Sequence, residues 1–396
     1  MGMSSCKSDE NRSILLKEPT IINVHNGQLT TQSIVIENGF IREIGDFDML
    51  VKKNLATIID CEGKYIIPGM FDMHMHIAEE ENMILELDRL VQHGITGIRD
   101  MGGIADSIAH AKHLIQNGNL QGPDIYFAGF TLDGPQTNDP FHFKVYDTTN
   151  IKALVADLEK TGVDFLKVHN YFPNHKLVEL KQAGNELGLK ITGHIPVGVG
   201  LTELDSVGIK CVEHINSLIS SIVLKESNGV NNLEDAFTAL DSTYISNLST
   251  YFKKNDIAIT PTLYAMDDMY SNLENESSKA MGLRLMALFH EILRWMSQND
   301  VMILAGTDRG PITEANIDEL QDELAILVTS GMSPLEALQC ATINPAKFLE
   351  IETAYGTVEV NKKANLVVLN SNPLKDISNT KDIHFVLKNG ELFKES

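Results

Sequence analysis

Three observations predict an α/β chain whose body is a (β/α)8 TIM-type barrel, joined to a small β-sandwich domain formed from both termini. Short apolar runs alternate eight times with amphipathic stretches across the middle of the 396 residues. Both ends carry strand signals and turn dipeptides. No glycine-rich phosphate fingerprint follows any strand, which argues against a doubly wound sheet. The expected division is 1–67 for the N-terminal part of the β domain (1–14 a polar tail), 68–350 for the barrel, and 351–396 for the C-terminal part.

At the N-terminal end residues 20–24 are β-branched, and 33–44 alternate around Asn38-Gly39, a strong short hairpin signal. Residues 57–59 and 65–67 continue the pattern. The other end matches it, with a strand run at 366–369 and a hairpin over 384–393 that turns at Asn389-Gly390. For the barrel, the expected strands are 65–67 leading into Phe71, then 95–99, 125–128, 165–168, 190–192, 210–212, 257–260 and 302–304. Helical periodicity fills the gaps at 84–92, 104–117, 151–160, 176–187 and 283–297.

Composition narrows the function classes. The 54 acidic and 32 basic side chains leave a formal charge of −22. Nucleic-acid binders cluster Lys and Arg against phosphates, so this balance argues against nucleic acid and against an anionic membrane surface. No apolar run approaches the roughly 18–20 residues that span a bilayer, so no transmembrane segment is expected. Cys6, Cys61, Cys211 and Cys340 are too few and scattered for a disulfide scaffold or a cysteine zinc site. Met3-Ser4-Ser5-Cys6 with the polar residues after it is similar to the junction of a bacterial lipoprotein signal, with Cys6 as the lipidation site. The apolar segment that should precede such a cysteine is absent, as in a trimmed signal, and the alternative is the polar tail of a cytoplasmic protein.

His74-Met75-His76 supplies two imidazoles at i and i+2, which share one face of a strand and can reach one ion. Other metal-competent residues stand where strands end: Lys167, His194, His214 and Asp308. A barrel gathers such positions around one mouth. Charge buried there must be paired or bound to metal.

With these residues in place, the chain resembles the amidohydrolase superfamily, nearest the imidazolonepropionase-related and prolidase-like metal-dependent hydrolases. The similarity covers almost the whole chain. It is carried by Ile67-Pro68-Gly69-Met70-Phe71-Asp72-Met73-His74-Met75-His76 and by the segment from Gly94 to Gly103. Ala341-Thr342-Ile343-Asn344-Pro345-Ala346 and Ala364-Asn365-Leu366-Val367-Val368-Leu369 extend it to the C-terminal end.

The resemblance implies a binuclear centre of two divalent metal ions, with zinc expected. His74, His76 and Asp308 would hold the more buried ion, and His194 and His214 the second. Lys167, carbamylated by CO2, would bridge them, because a carbamate ligates a cation and a protonated amine does not. A metal-bridging hydroxide would attack an amide-type C–N bond of a small-molecule substrate: a dipeptide, an N-acyl amino acid or a cyclic amide. Asp308 would carry the proton to the leaving nitrogen. The family also implies a homo-oligomer.

Substrate contacts are expected from His142, His169, Tyr171, Tyr264 and Arg309, the last as a carboxylate holder or, equally, as a surface salt-bridge partner. Two segments depart from prolidase-like members. Leu132-Asp133-Gly134-Pro135-Gln136 and Val168-His169-Asn170-Tyr171-Phe172-Pro173 stand where relatives carry glycine-rich ones. Dipeptidase activity is therefore open. The alternatives are a mononuclear deaminase or imidazolonepropionase-like enzyme, a lactonase or organophosphate hydrolase, and a non-catalytic scaffold. Lys167 favours two metals over one.

Overall fold

The computed structural model describes residues 13–53, 57–77, 87–221, 242–310 and 317–393. Cys6 and most of the expected polar tail lie outside them, as do 84–86 of the expected helix at 84–92. The N-terminal end forms strands β1 (Ser13–Lys17), β2 (Thr20–Ile22), β3 (Leu29–Thr31), β4 (Ser33–Glu37), β5 (Phe40–Gly45), β6 (Thr57–Asp60) and β7 (Tyr65–Pro68). The middle follows with β8 (Met70–Met75), β9 (Ile95–Asp100), β10 (Asp124–Phe127), β11 (Thr131–Asp133), β12 (His142–Lys144), β13 (Phe165–Val168), β14 (Lys190–Gly193), β15 (Ile209–Glu213) and β16 (Ala258–Thr260). The last strands are β17 (Leu366–Leu369), β18 (Ile383–Lys388) and β19 (Glu391–Phe393).

The two ends of the chain meet. One sheet has the order β5-β4-β1-β6 and the other β19-β18-β17-β7-β2-β3, so each end contributes to the second. Both expected hairpins form. Asn38 and Gly39 have φ of 52° and 79°, and Asn389 and Gly390 have 51° and 74°, the left-handed pair that a two-residue hairpin requires. Leu16, Ile34 and Ile36 of the first sheet share one buried cluster with Ile66, Leu366, Val368 and Phe385 of the second.

Strand 65–67 is a correction. It does not open the barrel series but pairs with β17 (antiparallel) and β2 (parallel) in the terminal sheet. Pro68-Gly69 then passes the chain to β8, and a Cβ at Gly69 would strike the Thr96 side chain. The break is a backbone crossing point that apolar patterning does not register.

In the middle, β10-β9-β8 form one parallel sheet and β12-β11-β13-β14-β15-β16 a second. The expected strand at 302–304 is reduced to a single bridge between Ile259 and Ile303. Its backbone is nevertheless satisfied on both sides. Leu304 N donates to Ile259 O, while Met73 N donates to Ala305 O and Asp308 N to His74 O, at 2.8–2.9 Å. Between β10 and β13 the Asp164 N–H reaches the Phe127 carbonyl at 2.9 Å.

Helices with one apolar face pack outside these strands. Ile151–Lys160 begins at Asn150, whose side chain accepts from Ala153 N, and buries Ile151, Val155 and Leu158. Ala105–Gln116, Leu177–Glu186 and Glu276–Gln298 bury equivalent stripes, and the apolar clusters run continuously from helices to strands. Among the described residues no helix is long and apolar enough to cross a membrane.

Leu263–Ser271 starts just after β16, and the Leu263 and Tyr264 N–H groups donate to the two oxygens of buried Glu323. Burial pushes the Glu323 carboxyl up to about 8 despite these donors. The folded pKa stands above the unfolded one, so this group's stabilisation is complete below the ordinary Glu range and is lost as pH rises towards 8. Urea unfolding between pH 5 and pH 9 is expected to show a decline on the order of a few kcal/mol from this site. Glu323→Gln, an isostere of the neutral acid, should flatten that decline; an equal pH slope in both proteins would refute the assignment.

Candidate metal centre

Every expected metal ligand but Asp308 stands at or just past the end of a strand. His74 lies within β8 and His76 one residue beyond it, and Lys167 is in β13. His194 follows β14, His214 follows β15, and Asp308 lies in the segment between β16 and β8. Gly193 has φ 137°, and a Cβ there would collide with the Val168 carbonyl; glycine lets the chain turn at His194. His214, Thr262 and Asp308 have φ of 61°, 50° and 57°. Left-handed backbone costs a non-glycine residue on the order of 1–2 kcal/mol. It is held here by bonds from His214 N to Thr260 O and from Asp308 N to His74 O, at 2.9 and 2.8 Å.

The rings form an arc. His76 and His74 lie 5.4 Å apart between centroids, His74 and His214 4.4 Å, and His214 and His194 4.7 Å. His169 continues it at 3.9 Å from His194, and His142 at 4.6 Å from His169. All but His74 border a cavity of about 230 Å3 that Lys167, Asp308, Thr131, Asp139 and Phe141 also line.

The tautomers are readable from the partners. His74 Nδ1 lies 2.9 Å from the Glu213 carboxylate and therefore donates to it. Its Nε2 is buried without a hydrogen-bond partner and stands 3.3 Å from Asp308 Oδ1. Burial, with His214 and Lys167 nearby, lowers the His74 pKa well below the usual range. That Nε2 therefore carries a bare lone pair facing a carboxylate oxygen, two acceptors with no proton between them. His76 Nδ1 donates to Gly102 O at 2.9 Å, and its Nε2 is 3.5 Å from the same Asp308 oxygen.

His74, His76 and Asp308 thus offer three ligand atoms within 4.8 Å of one another. This donor set fits a divalent cation, each imidazole being oriented through its other nitrogen as metal-binding histidines are. Burial would raise the Asp308 carboxyl, but His214, His76 and His74 outweigh it and hold it well below the carboxylate range.

His194 and His214 are oriented in the same manner, the first by Asn170 Oδ1 at 3.0 Å and the second by Thr262 Oγ1 at 2.8 Å. Both line the cavity with Lys167, but they stand outside the three-residue group. Burial lowers the Lys167 pKa, against the pull of Asp308, Glu213 and Asp100.

Of the expected substrate contacts, His142 and His169 line the cavity and the others do not. Arg309 forms a salt bridge, its Nε donating to Glu319 at 3.0 Å, but a buried one where the alternative had it at the surface. Tyr171 is half exposed and offers its backbone N–H to Asp133 at 2.7 Å. Tyr264 sits at the start of its helix, with its N–H on Glu323.

Three supporting residues escape the sequence reading. Glu213 accepts from Arg99 at 2.7 and 2.8 Å and from Thr192, all of them buried. Asp72 accepts from Thr307 N and Oγ1 and from His74 N, tying the Asp308 segment to β8. Their proximity to His214 and His74 in sequence is the signal that could have marked Glu213 and Asp72. Asp133 has no such signal. It lies between His142 and His169, its Oδ2 at 3.0 and 3.2 Å from their Nδ1 atoms, a second group of metal-competent donors.

The chain is similar to several known proteins. An adenine deaminase of Ligilactobacillus salivarius is 21% identical over 90% of this chain, which spans 54% of that protein's length. A 5′-deoxyadenosine deaminase of Methanobrevibacter smithii is 23% identical, over 91% of this chain and 84% of its own. The solved structure of a Xaa-Pro dipeptidase with bound methionine superposes with a TM-score of 0.77 at 22% identity, covering 97% of this chain and all of the other, a likeness of fold. The model of the amidohydrolase family matches residues 65–393. The chain spans about half the length of the first of these relatives, but the family match takes in most of the chain itself, which accordingly belongs to the amidohydrolase family.

Proposed function

We propose that this chain is a metal-dependent hydrolase that cleaves an amide-type C–N bond in a small molecule. The observation that carries the reading is the buried, unprotonated His74 Nε2 facing the Asp308 carboxylate, an arrangement that calls for a cation. The relatives' names, two deaminases and a dipeptidase, all denote reactions at carbon–nitrogen bonds. His74, His76 and Asp308 hold one divalent ion, zinc being suited to two imidazoles and a carboxylate. His194 and His214 would hold a second, and Lys167, as its carbamate, would supply a further oxygen ligand. A divalent cation so held lowers the pKa of water and polarises a carbonyl oxygen.

The protein's own residues supply the rest. Asp308, ionised and beside three imidazoles, accepts the proton of the attacking water and returns it to the leaving nitrogen. Glu213 keeps His74 in the ligating tautomer. The architecture that supports this chemistry is read as a closed (β/α)8 barrel over 68–350, with 302–304 in the place of its eighth strand, and a β-sandwich from 1–67 and 351–396. A homo-oligomer belongs to the same reading.

A one-metal deaminase is the second reading, favoured by the deaminase relatives. Metal analysis of chelator-free protein separates them, with two ions per chain expected and one ion supporting the deaminase. Lys167→Ala should remove the second ion and most hydrolysis of amide substrates. Full metal content and full activity in that variant would exclude the lysine bridge.

A further inference from the structure

The cavity has a second end, away from the three-residue group. His169 lies tilted against His194, His142 meets His169 edge-on, and the Asp133 carboxylate reaches both His142 and His169. The Asp133 side chain is 1% exposed and fully satisfied. Its Oδ1 accepts from Gly134 N and Tyr171 N at 2.9 and 2.7 Å, and its Oδ2 faces the Nδ1 atoms of His142 and His169. An ionised carboxylate can only accept, so both imidazoles turn Nδ1–H towards it. The opposite edge of each ring, with Nε2, is left as an acceptor. Asp139, at the rim, brings its carboxylate to 3.7 Å from His142 Nε2.

Asp133 and Asp139 bring two carboxylates to this end. Among the described residues no arginine lines it, Arg309 being turned away onto Glu319. Lys167 is the only lysine or arginine among the described residues lining the cavity. A substrate carboxylate would meet acceptors here, whereas an ammonium or other N–H-rich group would be matched.

We propose that Asp139, His142 and His169 form a recognition site for a positively charged or N–H-bearing end of the substrate, a free amino group in the simplest case. Asp133 is its positioning residue, holding both rings in one tautomer. The assignment rests on the reading of this cavity as the active site, and it narrows that reading towards aminoacyl substrates and away from N-acyl amino acids.

The test is binding to the full chain loaded with zinc, read by nitrogen NMR of labelled histidine imidazoles. Alaninamide serves as the cationic probe and N-acetylalanine as the anionic one. In the wild type His142 and His169 should show the Nδ1–H tautomer, and alaninamide should shift the His142 Nε2 resonance while N-acetylalanine leaves it in place. Asp139→Asn should weaken alaninamide about tenfold, the effect of one charge-assisted contact. Asp133→Asn should scramble the tautomers without changing zinc content.

A second pair of variants covers failure of Asp133→Asn to fold. His142→Asn keeps an amide near Nδ1 and His142→Gln one near Nε2, so recognition predicts tighter alaninamide binding in the Gln protein. A packing role for the ring predicts the reverse order. An Nε2–H tautomer in the wild type, or a His142 response to N-acetylalanine alone, would overturn the assignment. Neither readout needs turnover, so absence of amide hydrolysis would count against the proposed function only.

Discussion

Asp308→Asn is expected to lower kcat/KM for amide substrates by on the order of 10^2–10^4, the span associated with losing a general acid–base group. The side chain performs two tasks, and the amide serves neither well. Its carboxylate oxygen stands 3.3 Å and 3.5 Å from the two β8 imidazoles. The other oxygen lies 3.8 Å from His214. Asparagine keeps the shape but cannot take up a proton and neutralises the only carboxylate in the three-residue group. The left-handed backbone at this position favours Asn among the non-glycine residues, so the fold should tolerate the change. Metal analysis should show a lower content and an unchanged thermal transition. Activity within tenfold of wild type at full metal content would remove Asp308 from the chemistry.

Glu213→Gln should be the most destabilising conservative change in the site, costing about 3–5 kcal/mol as breaking a buried ion pair does. Arg99 and Glu213 are both fully buried, with the guanidinium also donating to Met73 O at 2.7 Å and Thr260 Oγ1 at 2.9 Å. Phe165 and Phe348 flank its charge at 5.5 and 5.3 Å. Taking the negative charge away leaves a guanidinium that no water can reach. His74 simultaneously loses the carboxylate that sets its tautomer, so metal affinity should fall with stability. The double variant Arg99→Met, Glu213→Gln removes both charges and should be less destabilised than the single one. Urea denaturation of the three proteins checks this order, and a double variant less stable than Glu213→Gln would show that the pair's charge is not the issue.

Much of the fold can be read from local patterns. The Asn-Gly hairpins, the amphipathic helix at Ile151–Lys160 and the apolar runs at β9, β13 and β15 depend on neighbours within a few residues, which sequence displays. The misread places are those governed by distant partners. Residues 65–67 are as apolar as a barrel strand, and only their pairing with β17 assigns them to the terminal sheet. Residues 302–304 look like a strand yet bond irregularly to both neighbours. Arg309, adjacent to Asp308 in sequence, is carried by backbone direction to Glu319 instead of the cavity.

By itself the sequence determined which donor types were present and that they recur at strand ends: His74 and His76 two apart, then Lys167, His194, His214 and Asp308. Tertiary structure alone decided which of them share a point, which nitrogen of each imidazole is free, and which residues stand behind them. Orientation of a ring comes from a hydrogen bond to its far nitrogen. Those partners (Glu213 for His74, the Gly102 carbonyl for His76, Asn170 for His194, Thr262 for His214) lie 24 to 139 positions away or on another strand. Asp133 shows the limit most plainly. In the sequence it is one acidic residue before a Gly-Pro turn, and it becomes the anchor of two histidines only because β11 lies between β12 and β13.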